Sequence, residues 1–135
     1  MSTVQGFAPT IKSGRGMNIA LWALQGLLAV AFLMAGASKL AGAEMMVGEF
    51  EAIGLGQWFR YLTGGLEIAA AILLVYPRLS GYGALLLIPI MLGATATHLV
   101  VFKNSPAVPL VLLGLAAVVA WGRLARTRTA GIGDM

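Results

Sequence analysis

Four long apolar segments, separated by short polar stretches, dominate the hydropathy pattern of the chain. They cover residues 17–38, 58–76, 79–102 and 106–122. Each is close to the ~20 residues that an α-helix needs to cross a bilayer, so the pattern predicts four membrane-spanning helices. The polar ends of the chain are predicted to be tails: a flexible cytoplasmic tail over residues 1–16 and a C-terminal tail over residues 126–135.

The longest connection, residues 39–57, carries a shorter pattern of its own. Met46, Phe50 and Ile53 recur at the spacing of one helix face, while Glu44 and Glu51 lie off that stripe. This predicts a short amphipathic helix at the membrane interface, between the first and second spans. Its role stays open between a connector that fills the headgroup layer and a lid over a pocket.

Composition agrees with this hydropathy pattern. Hydrophobic residues make up 59% of the 135 residues, and charged residues only 10%, whereas soluble domains carry about 25% charged residues. A chain of this length has no core large enough to hide so much apolar surface from water. The predicted fold class is therefore an all-α membrane protein, a single four-helix transmembrane bundle over residues 17–125.

The positions of the basic residues predict an orientation. With both termini in the cytoplasm, six Lys and Arg residues lie on the cytoplasmic side and three on the other, as the positive-inside rule requires. The net charge of +4 does not indicate nucleic acid, because the basic residues lie beside apolar spans. The expected partners are the lipid bilayer of a bacterial inner membrane and either a membrane-associated protein or further copies of this chain.

The absence of cysteine limits the redox chemistry of the chain. Without cysteine, the chain has no disulfides, iron–sulfur clusters or thiol relays of its own. A single histidine also argues against a self-contained zinc or haem site, so no metal is expected. Any redox group would come from a ligand or a partner protein, and the cofactor is otherwise left open.

Two ionisable residues interrupt the spans: Glu67 in the second, and His98, the sole histidine, in the third. An unpaired carboxylate near the centre of a membrane helix costs roughly 2.5–3.5 kcal/mol on insertion scales, so Glu67 must be paired, hydrogen-bonded or protonated. From the rise of about 1.5 Å per residue, Glu67, His98 and Lys39 all fall in the outer half of the bilayer. Thr63 and Thr95, one turn before Glu67 and His98, complete a predicted polar cluster from three helices.

This polar cluster has two interpretations that the sequence leaves open. In the structural one, Lys39 and Glu67 form an ion pair, and His98 and the threonines hydrogen-bond across helices, at about 0.6 kcal/mol per contact. In the functional one, the cluster binds a lipophilic molecule with polar oxygens. Glu67 and His98 would then be catalytic groups that handle protons, and Lys39, Thr63 and Thr95 would bind the ligand.

Other polar and small residues in the spans are expected to hold the helices together. Gln25, in the first span, is predicted to hydrogen-bond between helices. Small residues let helix backbones approach closely where no hydrophobic effect drives their association. The glycines expected to do so are Gly26, Gly36, Gly64, Gly65, Gly81, Gly93 and Gly114.

Three segments carry a family resemblance: FLMAGASKL at residues 32–40, YLTGGLEI at residues 61–68 and GATATHL at residues 93–99. In this order and spacing they resemble the DoxX-type small membrane proteins, over about residues 17–125. The resemblance implies a four-helix membrane bundle. It assigns no role to Lys39, Glu67 or His98, although these match the polar positions of the family.

The relatives point to two classes of function. They include a subunit of a thiosulfate:quinone oxidoreductase, members linked to membrane oxidoreductase complexes, and a eukaryotic receptor-assembly chaperone. The first class is a quinone-linked oxidoreductase subunit without a redox cofactor of its own, in which the quinone oxygens meet His98 and Thr95 or Thr63. The second is a non-enzymatic scaffold or assembly subunit for another membrane protein. Whether the chain is an enzyme stays open.

Overall fold

The computed structural model describes the backbone of residues 9–133 and the side chains of residues 14–125. This part of the chain forms five α-helices: α1 (Pro9–Ala41), α2 (Glu44–Ile53), α3 (Gln57–Val75), α4 (Ser80–Val100) and α5 (Ala107–Gly133). All except α2 contain a segment long and apolar enough to cross a membrane. The predicted all-α, four-span bundle with a short helix between the first two spans is confirmed.

The helices α1 and α5 are longer than the apolar segments that predicted them. Helix α1 begins at Pro9, inside the predicted tail of residues 1–16, and α5 continues to Gly133, inside the tail of residues 126–135. Hydropathy marks the part of a helix that fits the hydrocarbon core, and polar residues can extend the same helix beyond it. Residues 1–8, part of the tail predicted to be flexible, lie outside the described residues.

Helix α2 rests on the bundle through the predicted apolar stripe. Phe50 is buried and packs against Phe59 of α3, with ring centroids 5.8 Å apart. Met46 and Ile53 are half-buried, while Glu44 and Glu51 are exposed. Glycines with positive φ allow the sharp turns on both sides of α2, and these are Gly42, Gly54 and Gly56.

The spanning helices pack as two pairs, α1 with α3 and α4 with α5, and the pairs meet mainly through α3 and α4. The centre of the bundle is apolar and closed to solvent. Its fully buried side chains include Leu28, Phe32, Leu74, Leu87 and Val119. This core holds the helices in fixed positions around the polar residues described below.

Two glycines allow the backbones of α1 and α3 to approach closely where these helices cross. A Cβ atom at Gly36 would lie 2.7 Å from the carbonyl oxygen of Gly64, and one at Gly64 would lie 2.9 Å from Cβ of Lys39. Only glycine permits this approach, as the sequence predicted for these two positions. Because Lys39 and Glu67 each follow one of these glycines by three residues, the crossing brings their side chains together.

Candidate functional site

A cavity of about 540 Å³ lies between α3 and α4 and beneath α2. Its wall is mainly apolar, and its volume is within the usual range for a small-molecule site. The apolar side chains that line it include Phe50, Ile53, Phe59, Leu62, Leu66, Leu86, Ile90 and Met91. The cavity can therefore take a ligand with a largely apolar body.

An ion pair lies in the wall of this cavity. Nζ of Lys39 is 2.9 Å from Oε1 of Glu67, and only 2% of Glu67 is exposed. The pairing predicted by the structural interpretation is confirmed, and it explains how a carboxylate is tolerated inside a span. Because both residues also line the cavity, the pair is next to any molecule that occupies it.

The hydrogen-bonding capacity of Glu67 is not satisfied by this contact. Lys39 approaches Oε1 at 2.9 Å, and no other described side chain is shown in contact with the carboxylate. A carboxylate has about four acceptor positions, so one ammonium does not use them all. A buried acceptor left without a donor costs about 1–3 kcal/mol.

His98 lines the cavity from α4, and its ring is held by the loop that follows this helix. Nδ1 of His98 donates a 2.7 Å hydrogen bond to Oδ1 of Asn104, and the ring packs edge-on against Phe102. The left-handed conformation of Lys103 (φ 53°) turns the chain back so that the backbone N–H of Asn104 also reaches the carbonyl of His98. With Nδ1 protonated, Nε2 of the neutral ring is a hydrogen-bond acceptor.

Four of the five residues in the predicted polar cluster line the cavity; they are Lys39, Thr63, Glu67 and His98. Thr95 is not among the lining residues, and its hydroxyl donates to the carbonyl of Met91 within α4. The residue that lines the cavity instead is Thr97, whose hydroxyl donates to Gly93.

The residues of α4 that line the cavity recur at the spacing of one helix face, and they include residues 86, 90, 93, 94 and 97. Thr95 lies beside this face. The predicted hydrogen bonds across helices from His98 and Thr95 are wrong, because both side chains bond within α4 or to the loop after it.

Arg60 has a positioning role that the sequence analysis missed. It is 4% exposed, its Nε donates to Oε1 of Gln57 at 2.7 Å, and its Nη1 donates to the carbonyl of Lys39. Gln57 in turn donates to the carbonyl of Val47 in α2. Arg60 thus joins α3 to the end of α1, where its charge also suits the negative end of the helix dipole. The sequence held no local signal for this role, because the carbonyl that Arg60 binds lies in another helix.

A second buried polar cluster lies at the opposite end of the bundle. Gln25 is fully buried; its Nε2 donates to the carbonyl of Leu74 at 2.7 Å, and its Oε1 accepts from Nε of Arg123. Arg123 also donates to Oδ1 of Asn18 at 2.6 Å. The predicted hydrogen bonding of Gln25 between helices is confirmed, and it joins α1, α3 and α5.

Metal ligands are not assembled at either cluster: within the described residues, no three His, Asp or Glu side chains come together. A family model described as the DoxX-like family matches residues 23–121. The matched region includes Lys39, Thr63, Glu67 and His98, and therefore the cavity wall. No curated protein and no solved structure matches the chain.

Proposed function

Because the chain belongs to the DoxX-like family of membrane proteins, we propose that it is an integral membrane subunit of an oxidoreductase system that binds a quinone or a similar lipophilic ligand. The observation that carries the proposal is the mainly apolar cavity of about 540 Å³ with the Lys39–Glu67 ion pair in its wall. An apolar ligand body fits the wall, and the charged pair meets its polar end.

The ligand reaches the cavity from the bilayer. Leu62 and Leu66 line the cavity and are also 47% and 36% exposed on the surface that lipid would cover. Pro89 and Gly93 of α4 also line the cavity and are exposed on the outside of the bundle. A hydrophobic molecule can therefore pass between α3 and α4 without entering water.

In this proposal the residues of the cavity hold the ligand and handle protons. The ammonium of Lys39 and the hydroxyl of Thr63 are donors for ligand oxygens. Glu67 and His98 are the groups that exchange protons, since reduction of a quinone by two electrons also takes up two protons. The electrons come from a partner protein, because the chain has no cysteine and only one histidine to hold a redox centre.

The proposed setting is the bacterial inner membrane, with both termini in the cytoplasm. The hydrogen bonds between Arg123 and Asn18 support this topology, because they join the beginning of α1 to the second half of α5 at one end of the bundle. The excess of basic residues at that end then favours the cytoplasmic side. Helix α2 and the cavity beneath it belong to the opposite half of the membrane.

A second candidate is a non-enzymatic scaffold for another membrane protein or for further copies of the chain. Gly26, Gly65 and Gly114 were expected to pack inside the bundle, but a Cβ atom at each would meet no atom within 4 Å. Open glycines on the outside of a span suit the approach of a further helix. This observation favours a protein contact away from the cavity.

Two glycine substitutions distinguish these functions. Gly93 lines the cavity and Gly114 does not, and at both positions an added Cβ atom would meet no atom of a neighbouring residue within 4 Å. With the protein in lipid nanodiscs, decylubiquinone is expected to bind the wild type and Gly114→Phe equally. Gly93→Phe, which fills part of the cavity, should weaken binding about tenfold or more.

The scaffold function gives the opposite pattern. Native mass spectrometry of the protein extracted in its own lipid would then show a bound polypeptide that Gly114→Phe removes and Gly93→Phe retains. Failure of the wild type to bind decylubiquinone or any retained lipophilic molecule would contradict the proposed ligand function.

A further inference from the structure

We propose that the cavity selects a neutral lipophilic ligand with a hydroxyl group, of the phenol or alcohol class, which donates a hydrogen bond to the carboxylate of Glu67. This inference rests on the proposed ligand function of the cavity and defines the polar group that the ligand carries. For a quinone and its reduced form, it means that the dihydroxy form binds more tightly.

The first argument is the unsatisfied state of Glu67. Its side chain is almost fully buried and lines the cavity, and among the described residues only Lys39 has a polar side-chain atom shown in contact with its carboxylate. A carboxylate has about four acceptor positions, so one ammonium leaves most of them open. A buried acceptor is stabilised when a donor reaches it, and a charged acceptor gains more than a neutral one. The cavity is the space from which such a donor can come.

The two polar side chains that α4 contributes to the wall favour the same class of ligand. The hydroxyl of Thr97 is already bonded to the carbonyl of Gly93, and Nδ1 of His98 to Asn104. The bond to Asn104 leaves Nε2 of a neutral His98 as an acceptor. Both ionisable side chains on the α3 and α4 walls therefore accept hydrogen bonds.

The ion pair determines the charge of the ligand. Lys39 already balances Glu67 at 2.9 Å, in a wall that is mostly apolar. A cationic ligand would be repelled by Lys39 and an anionic one by Glu67, each leaving a charge uncompensated in a medium of low dielectric constant. A neutral hydroxyl adds a hydrogen bond without adding a charge.

The test uses two probes that differ in one hydrogen-bond donor, 4-decylphenol and 4-decylanisole. Dissociation constants are measured with the wild-type protein in nanodiscs and expressed per mole of lipid, so that partitioning into the bilayer cancels. The dissociation constant of the phenol is expected to be lower than that of its methyl ether by a factor of about ten or more. This is the usual size of the effect of a hydrogen bond to a charged group.

The control removes the acceptor without leaving a buried charge. In Lys39→Met/Glu67→Met the cavity keeps its apolar wall, and both probes are expected to bind with equal affinity. Gly93→Phe should weaken both probes together, which confirms that the measured binding is in the cavity.

Three results would overturn the inference. Equal binding of phenol and ether to the wild type would show a lipophilic site without selection for a donor, and the proposed ligand function would stand. A preference for the phenol that persists in the double variant would show that its hydroxyl donates to an acceptor other than Glu67. Binding of neither probe would also refute the inference, and the decylubiquinone measurement would then decide whether the cavity binds ligands at all.

Discussion

Two buried polar clusters lie at opposite ends of this bundle, and they differ in how their hydrogen bonds are satisfied. At one end, Gln25 uses both its amide nitrogen and its oxygen in bonds to α3 and α5. At the other, Lys39 is the only described side chain shown in contact with the carboxylate of Glu67, and this carboxylate borders a cavity. The first cluster needs nothing beyond the protein. The second has an acceptor and a space beside it, which is what a binding site requires.

The largest effect is expected from removing one charge at the cavity end. Lys39→Met leaves Glu67 buried without its partner, which typically costs about 3–5 kcal/mol. Lys39→Met/Glu67→Met removes both charges and should restore most of the lost stability, because a buried ion pair and a matched apolar pair are often similar in free energy. The measurement is the free energy of unfolding in mixed micelles. A double variant as unstable as the single one would contradict the ion-pair explanation.

The next prediction concerns the helix crossing that forms the ion pair. Gly64→Ala places a methyl group 2.9 Å from Cβ of Lys39, and such overpacking costs about 1–3 kcal/mol. The matched control is the adjacent Gly65→Ala, where no atom lies within 4 Å and alanine favours the helix. The unfolding temperature should therefore fall in Gly64→Ala and stay the same or rise in Gly65→Ala. Equal shifts would show that the crossing does not depend on glycine.

At the opposite end, Gln25→Leu should cost less. It removes the bonds to Leu74 and Arg123, and hydrogen bonds between membrane helices contribute about 0.6 kcal/mol each on average. Ligand affinity should remain unchanged, since none of these residues lines the cavity. A loss of binding equal to that of the cavity variants would remove the distinction between the two clusters.

The smallest expected effect comes from Asn104→Ala, which releases the ring of His98. The loss of one partly exposed hydrogen bond costs about 1 kcal/mol or less. Because His98 is the only histidine, its ring nitrogens give one resolved pair of ¹⁵N signals. The wild type should show the Nδ1–H tautomer, and the variant a mixture or the other tautomer. Identical spectra would mean that Asn104 does not orient the ring.

The sequence predicted the elements of this structure better than their rotation about their own axes. Apolar length is enough to find four spans, and helical rise is enough to place Lys39 and Glu67 in the same half of the bilayer. Which face of α4 meets the cavity depends on packing against α3 and α5, and for this reason Thr97 lines the wall where Thr95 was expected. The glycines show the same limit: Gly36 and Gly64 meet, while Gly65 faces open space.

Residues whose partners lie in other elements or in a turn could not be found from local spacing. Arg60 was counted only as a basic residue beside a span, yet it bonds to the end of α1. Asn104 orients His98 only because Lys103 adopts a left-handed conformation. A hydropathy pattern contains no information on either contact, because each depends on where the chain turns after a helix ends.

The hydrogen bond from Arg60 to the carbonyl of Lys39 affects how tightly the cavity can bind its ligand. Immobilising a lysine side chain costs conformational entropy of up to about 1.5–2 kcal/mol. Arg60 fixes the backbone at Lys39, and Glu67 holds its ammonium, so this entropy is lost when the protein folds and not when a ligand arrives. The wall of the cavity is preorganised, and more of the interaction energy of each contact appears as binding free energy.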